Sequence, residues 1–290
     1  MATVAGTSVL ITGAAHGIGA EVARRLSSRG ARVALVGLGA EELERVAAQC
    51  PGSLFFEADV TDAGALETAV AGTVEAFGGI DTLIANAGIA STGFVRTMDP
   101  EAFERVIEVN LVGVWRTIRA CLPHVIERRG YILSVASMAA FVPAPGGAAY
   151  GAAKSGVEAL GDAMRVELQH LGVRVGVAYF SWIDTEMVRG TDATDLGARL
   201  RGSLRGPFAK THPVGDAAEA VVRGVERRSR IVVCPRWLPA LMAVRALLPL
   251  VTELGLRRDI AELDRIAEQE ARTRGSDPVG AGGEAERAAR

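Results

Sequence analysis

Three side chains near the middle of the chain have the types and spacing to act on one oxygen atom. Ser137 stands just past an apolar run, Tyr131–Val135 (YILSV), and Tyr150 and Lys154 follow a loop of Pro and Gly, Phe141–Gly147. If Tyr150 opens a helix, Lys154 lies one turn on, on the same face. A phenol beside an ammonium is a stronger acid than its reference pKa of about 10 implies, because the positive charge favours the phenolate. Ser137 is in place to share the same substrate oxygen. Of 32 basic residues only Lys154 and Lys210 are lysine, so a lysine here stands out from an arginine background. Its compact ammonium also suits pKa tuning better than a guanidinium does.

A proton donor of this kind needs a partner that changes the carbon, and the N-terminal stretch supplies a place for one. Ser8–Thr12 (SVLIT) reads as a buried strand. It runs into Gly13-Ala14-Ala15-His16-Gly17-Ile18-Gly19, and a helical pattern follows from Ala20 to Arg29, stopped by Gly30. Strand, glycine-rich turn and helix aim backbone N–H groups and a helix N-terminus at a phosphate. Arg32–Val36 is a second strand, ending in Gly37-Leu38-Gly39. An acid there would hold the 2′-hydroxyl of NAD, and a base would accept the 2′-phosphate of NADP. Neither is present, and His16 is the one potentially cationic group nearby in sequence. The missing acid favours NADP, with NAD the alternative.

The remaining elements alternate. Glu41–Gln49, Ala63–Phe77, Pro100–Arg129, Tyr150–His170 and Asp216–Arg228 carry helical patterns, the last with Asp216 as its N-cap. Leu54–Phe56, Asp81–Ala85, Tyr131–Val135, Val173–Tyr179 and Ile231–Cys234 read as strands. Asp59 either caps the helix that follows or faces an adenine. Asn86 and Gly88 stand where a strand ends, as turn residues or as backbone close to a ligand. Asn110, among apolar neighbours in a helix, is either a satisfied core amide or the mark of a kink holding water. Phe180–Pro213 has no period and has the length of a lid. The class is α/β: a Rossmann-like, doubly wound, mostly parallel seven-stranded sheet with helices on both faces. Residues 1–273 form one domain, including an apolar C-terminal extension from 237 to 273. Residues 274–290, rich in Gly, Ala and charge, read as a disordered tail.

Trp237–Leu256 is the most apolar stretch, but Arg245, Pro239 and Pro249 interrupt it. It is expected to cover an apolar pocket or a subunit partner, with attachment to a membrane surface the second reading. A net charge of -2 with scattered basic residues excludes a nucleic-acid stripe. Cys50, Cys121 and Cys234 are too few and too far apart for a disulfide framework. The N-terminus has no signal-peptide pattern, so a cytoplasmic location is expected. The four histidines lack i,i+4 pairing and no Gly-x-Ser-x-Gly occurs, which argues against a metal site and a hydrolase elbow.

Taken together the motifs resemble the classical short-chain dehydrogenase/reductase family over roughly residues 6 to 235. They are Thr12-Gly13 with Gly17-Ile18-Gly19, Asp59, Asn86-Ala87-Gly88, Asn110, Ser137, and Tyr150 with Lys154, with a gap of 13 between Ser137 and Tyr150. The resemblance implies a nicotinamide-dependent oxidoreductase acting on CH–OH groups, usually a homodimer or homotetramer. It implies Tyr150 as acid/base, Lys154 as its modulator and ribose contact, Ser137 as the substrate-oxygen partner, and Asn110 as holder of a water in a proton relay. It places Thr12, Gly13, Ala15, His16, Gly17, Ile18 and Gly19 at the pyrophosphate side. Gly37, Leu38, Asp59 and Val60 go to the adenosine, Asn86, Ala87 and Gly88 to the middle, and Ile183 and Thr185 to the nicotinamide. Phe180-Ser181 stands where the family commonly has Pro-Gly. The expected reaction is reversible hydride transfer to or from a small molecule, a bulky apolar ketone or alcohol. A nucleotide-binding sensor without chemistry is the alternative, and it has no use for the intact trio.

Overall fold

The computed structural model describes residues 3–273, 275, 277–280 and 283–285. β1 (Ser8–Thr12), β2 (Arg32–Gly37), β3 (Leu54–Glu57), β4 (Thr82–Ala85), β5 (Tyr131–Val135), β6 (Arg174–Phe180) and β7 (Ile231–Cys234) form one parallel sheet in the order β3-β2-β1-β4-β5-β6-β7. The order reverses between β1 and β4, which opens a crevice at their carboxyl ends. β1, β4 and β5 are buried on both faces, as an all-parallel sheet covered by helices requires.

Alternate residues of each strand feed two cores. Leu10 packs with α3 (Ala63–Phe77), α5 (Gly113–Glu127) and α6 (Ala148–Glu167); Val9 and Ile11 pack with α1 (Gly17–Ser28), α2 (Ala40–Ala47) and α9 (Val214–Arg227). The helix read as 100–129 is interrupted. α4 (Pro100–Ile107) passes through a π-turn, Glu108–Val112, before α5. α9 starts at Val214 behind Pro213, so Asp216 lies in its first turn and is not the N-cap. The aperiodic stretch holds two short helices, α7 (Glu186–Asp192) and α8 (Asp195–Ser203), capped by the hydroxyls of Thr185 and Thr194.

Beyond β7 the apolar stretch breaks at Arg245 into α10 (Leu238–Ala243) and α11 (Leu248–Leu256), each with proline in its first turn. α12 (Ile260–Thr273) follows and packs with α8 through Leu263, Ala267 and Leu196. No helix among the described residues is long and apolar enough to cross a membrane. Of the expected tail, residues 274, 276, 281–282 and 286–290 lie outside the described residues. Val279 is buried and donates its N–H to Ala90 O at 2.9 Å, in an antiparallel bridge.

Candidate active site

The glycine turn leaves β1 with Gly13 at φ 65°, a left-handed conformation that glycine alone adopts without strain. A side chain at Gly19 would put its Cβ 2.2 Å from Gly13 O, so the turn and α1 close to a distance only glycine permits. Thr12 Oγ1 accepts the N–H groups of Asn86 (3.1 Å) and Ala87 (3.2 Å), and Asn86 Nδ2 donates to Thr12 O (3.0 Å) and Gly13 O (3.2 Å). These bonds tie the ends of β1 and β4 together and hold the reversal point open. His16, extended ahead of α1, makes no side-chain cap, so the first N–H groups of α1 have no capping side chain where the cleft begins.

The cleft is a groove open to solvent. Gly13, Ala15, His16, Gly17, Ile18, Gly37, Leu38, Asp59, Val60, Asn86, Ala87, Gly88, Ile183 and Thr185 line it together with Ser137, Tyr150 and Lys154. Thr12, Gly19 and Asn110 lie behind its walls. Free helix N–H groups and a glycine cradle fit a dinucleotide. Ser181 Oγ adds a buried hydroxyl on the same wall with no hydrogen-bond partner.

At the inner end, Ser137 follows β5, donating to Phe180 O at 3.4 Å and accepting from Ala139 N–H at 3.2 Å. Its side chain also stands beside that of Tyr150. Lys154, 3% exposed, donates to Val135 O at 2.9 Å, and its Nζ lies 5.5 Å from the Tyr150 ring centroid. Asn110 is fully buried and clamps one residue twice: Nδ2 donates to Ile89 O and Ile89 N–H donates to Oδ1, both at 2.8 Å. The π-turn aims the amide at Ile89, next to Gly88. Each end of the amide has a backbone partner, and the residue sits in the π-turn that interrupts the helix.

The short chain dehydrogenase family model matches residues 7–196. The chain belongs to the short-chain dehydrogenase family. Over 189 residues it is 37% identical to 2-(R)-hydroxypropyl-CoM dehydrogenase of Xanthobacter autotrophicus, covering 62% of this chain and 76% of that one. Over 231 residues it is 32% identical to 2,3-dihydro-2,3-dihydroxybenzoate dehydrogenase of Bacillus subtilis, covering 76% and 88%. Among solved structures it superposes on levodione reductase with a TM-score of 0.75 at 26% identity, covering 81% of this chain and 98% of that one. The short-chain dehydrogenase fold, with the family's oxidoreductase character, is therefore the frame for the charges around the cleft.

Those charges depart from the sequence expectation in two places. Burial pushes the Tyr150 phenol above its ordinary value, and the Ser137 hydrogen bond only partly opposes this. The same burial lowers the Lys154 ammonium to about 8. Within the chain alone, desolvation is the larger influence on the phenol. Asp59 is not a helix cap, since Asp62 caps α3 by accepting from Gly64 and Ala65 N–H. Burial raises the Asp59 carboxyl, but Thr61 N–H (2.8 Å) and Arg105 (2.7 Å) more than offset this and hold it below its ordinary value.

Glu186, Glu57 and Arg105 of this short-chain dehydrogenase escaped the sequence reading. His16 Nδ1 lies 3.5 Å from Glu186 Oε2, so the imidazole faces a carboxylate of α7 across the cleft. Glu57, opposite Gly37 on β3, turns Oε1 to the N–H groups of Gly39 (3.1 Å) and Ala40 (3.2 Å) at the start of α2. Arg105 reaches Asp59 from α4, 46 residues away. Each is a long-range contact. The readable signal for Glu57 was its place at the end of the strand beside the glycine pair.

Proposed function

We propose that this short-chain dehydrogenase moves a hydride between NAD and a carbonyl or secondary alcohol carbon, with Tyr150 as acid/base. The observation that carries the reading is the meeting of Ser137, Tyr150 and Lys154 on the wall of the cleft that begins at the glycine turn. A bound nicotinamide supplies or takes up the hydride. Ser137 and Tyr150 hold the substrate oxygen between two hydroxyls. Tyr150 gives that oxygen a proton in reduction and removes one in oxidation. Lys154 keeps a positive charge beside the phenol below a pH of about 8 and so favours the phenolate as the proton leaves. Asn110, acting through Ile89, fixes the floor next to Gly88. Ile89, Phe180, Met187 and Val188 wall the cleft, which supports a substrate with an apolar body.

Glu57 supports NAD over NADP. A 2′-phosphate would look for backbone N–H groups and a cation at the end of β2. The N–H groups of Gly39 and Ala40 already hold a carboxylate, and His16 faces Glu186. An acid from β3 would then stand in for the one missing from β2, which favours NAD, the alternative to the NADP expected from Gly37-Leu38-Gly39.

Tyr150→Phe tests the mechanism. Turnover of a carbonyl panel should fall ~10²–10⁴-fold, while calorimetry should find the NAD dissociation constant unchanged. Turnover close to wild type would end the assignment. Loss of NAD binding would show instead that the phenol shapes the cofactor cleft.

A further inference from the structure

The C-terminal extension has an apolar side that faces outward. Val244, Leu247, Leu250, Val251 and Leu254 recur at helical spacing, and Leu250, Val251 and Leu254 are 55%, 61% and 61% exposed. Contiguous exposure of this kind is unusual on a monomer and marks a binding surface. The segment is not slack. Arg245 makes paired bonds of 2.8 Å to Glu158 of α6, whose Oε1 also accepts the Tyr179 hydroxyl at 2.9 Å. Trp237 and Leu248 pack on the main core, and Leu256 packs toward Leu196 and Leu263. None of residues 237–256 lines the cleft, so the stretch does not serve as its cover.

The ends of the stretch carry cations. Arg236 precedes it, Arg257 and Arg258 follow it, and all three are exposed with no carboxylate partner among the described residues. Phe208, partly exposed, packs edge-on against Trp237 at 5.2 Å, and Lys210 lies two residues further on. An apolar stripe with aromatic residues at one end and unpaired arginines at both matches the interfacial zone of an anionic bilayer. A second copy fits less well. The exposed stripe carries one carboxylate, Glu253, so a self-contact would gather arginines from both copies with too few acids to match them.

We propose that α11 and the turn before it seat the enzyme flat on an anionic lipid surface, with Leu247, Leu250, Val251 and Leu254 in the acyl boundary and the flanking arginines at the headgroups. Flotation with vesicles tests this. The full chain should float with phosphatidylcholine vesicles containing phosphatidylglycerol, and about tenfold less with phosphatidylcholine alone. Leu250→Glu with Leu254→Glu should abolish flotation, and Arg257→Ser with Arg258→Ser should weaken it about tenfold. Because Cys50, Cys121 and Cys234 are buried, Leu254→Cys can carry a polarity-sensitive dye, which should shift to the blue on the anionic vesicles. The proposal fails if the wild-type chain does not float, or if neither double variant changes flotation. It also fails if light scattering finds a dimer that Leu250→Glu with Leu254→Glu splits, since the face is then a self-interface.

Discussion

At the carboxyl ends of β1, β4 and β5, polar side chains give their hydrogen bonds to backbone. Thr12 and Asn86 lace two strands, Asn110 holds both polar groups of Ile89, and Lys154 is tied to Val135. Beyond β7 the pattern is inverted: one ion pair, Arg245 with the buried Glu158, anchors a segment with an outward apolar stripe. The first region is made for position and tolerates little change. The second is held at a few points and leaves its face for something else. Substitutions should therefore separate the two regions by both the kind and the size of their effect.

Lys154→Met should show the largest effect. It removes the charge beside Tyr150, and kcat/KM should fall on the order of 10²–10⁴-fold. The same change should stabilise the fold. The folded pKa of about 8 lies below the ordinary 10.5, so between those pH values the unfolded chain binds the proton that the folded chain lacks. The burial penalty is thus complete below a pH of about 8 and is relieved as pH rises toward 10.5. Thermal melts should find the variant more stable by up to about 3 kcal/mol near neutrality, with the gap closing at alkaline pH. A gap that widens with pH would show that Lys154 is not the buried cation.

Asn110→Leu comes next. It strands the N–H and C=O of Ile89 in a buried site, at about 1–3 kcal/mol for each unsatisfied group. Its Tm should fall and its kcat/KM should drop with it, because the backbone beside Gly88 loses its clamp. A variant with wild-type Tm and rate would mean that Ile89 finds other partners, and the edge would be less strictly determined than the geometry implies.

What could be read from sequence follows the same division. The strands, the glycine turn and the trio were legible because each is local: apolar runs, glycines at fixed offsets, and a turn of helix from Tyr150 to Lys154. Asn110 was visible as an anomaly, but its partner, 21 residues away, was not. Glu57, one residue past the strand read as Leu54–Phe56, drew no notice until β3 paired with β2 and set it against Gly39. α7 and α8 were missed since their short turns have no period, although Thr185 and Thr194 were cap signals in plain view. Trp237–Leu256 divides in a way its composition does not reveal. Leu238, Leu241, Met242 and Leu248 join the main core, while Leu247, Leu250, Val251 and Leu254 face outward and none of the stretch lines the cleft.

Glu57→Gln sharpens the cofactor side of the comparison. It removes one negative charge where a 2′-phosphate would sit and keeps a polar group of the same shape. At partly exposed sites one charge contributes about 1 kcal/mol, so the ratio of NADP to NAD dissociation constants should fall roughly five- to tenfold. Titration of both nucleotides by calorimetry reads this directly, without turnover. An unchanged ratio would remove Glu57 from the discrimination and return the choice to the Gly37–Gly39 backbone.

Leu250→Gln with Leu254→Gln should have the smallest effect on the isolated chain. Both side chains are more than half exposed, so little apolar area leaves a packed environment. Surface changes of this kind stay within about 0.5 kcal/mol each, which for a chain of this size keeps Tm within a few degrees, about 2–4 °C for each kcal/mol. A buried core leucine such as Leu10 contrasts with this, since its truncation to alanine costs about 2–5 kcal/mol. If the paired glutamines lowered Tm as far as Leu10→Ala does, the stripe would be covered in the folded protein. A second copy would then be the first candidate for the cover, and the two regions would differ less than their exposures indicate.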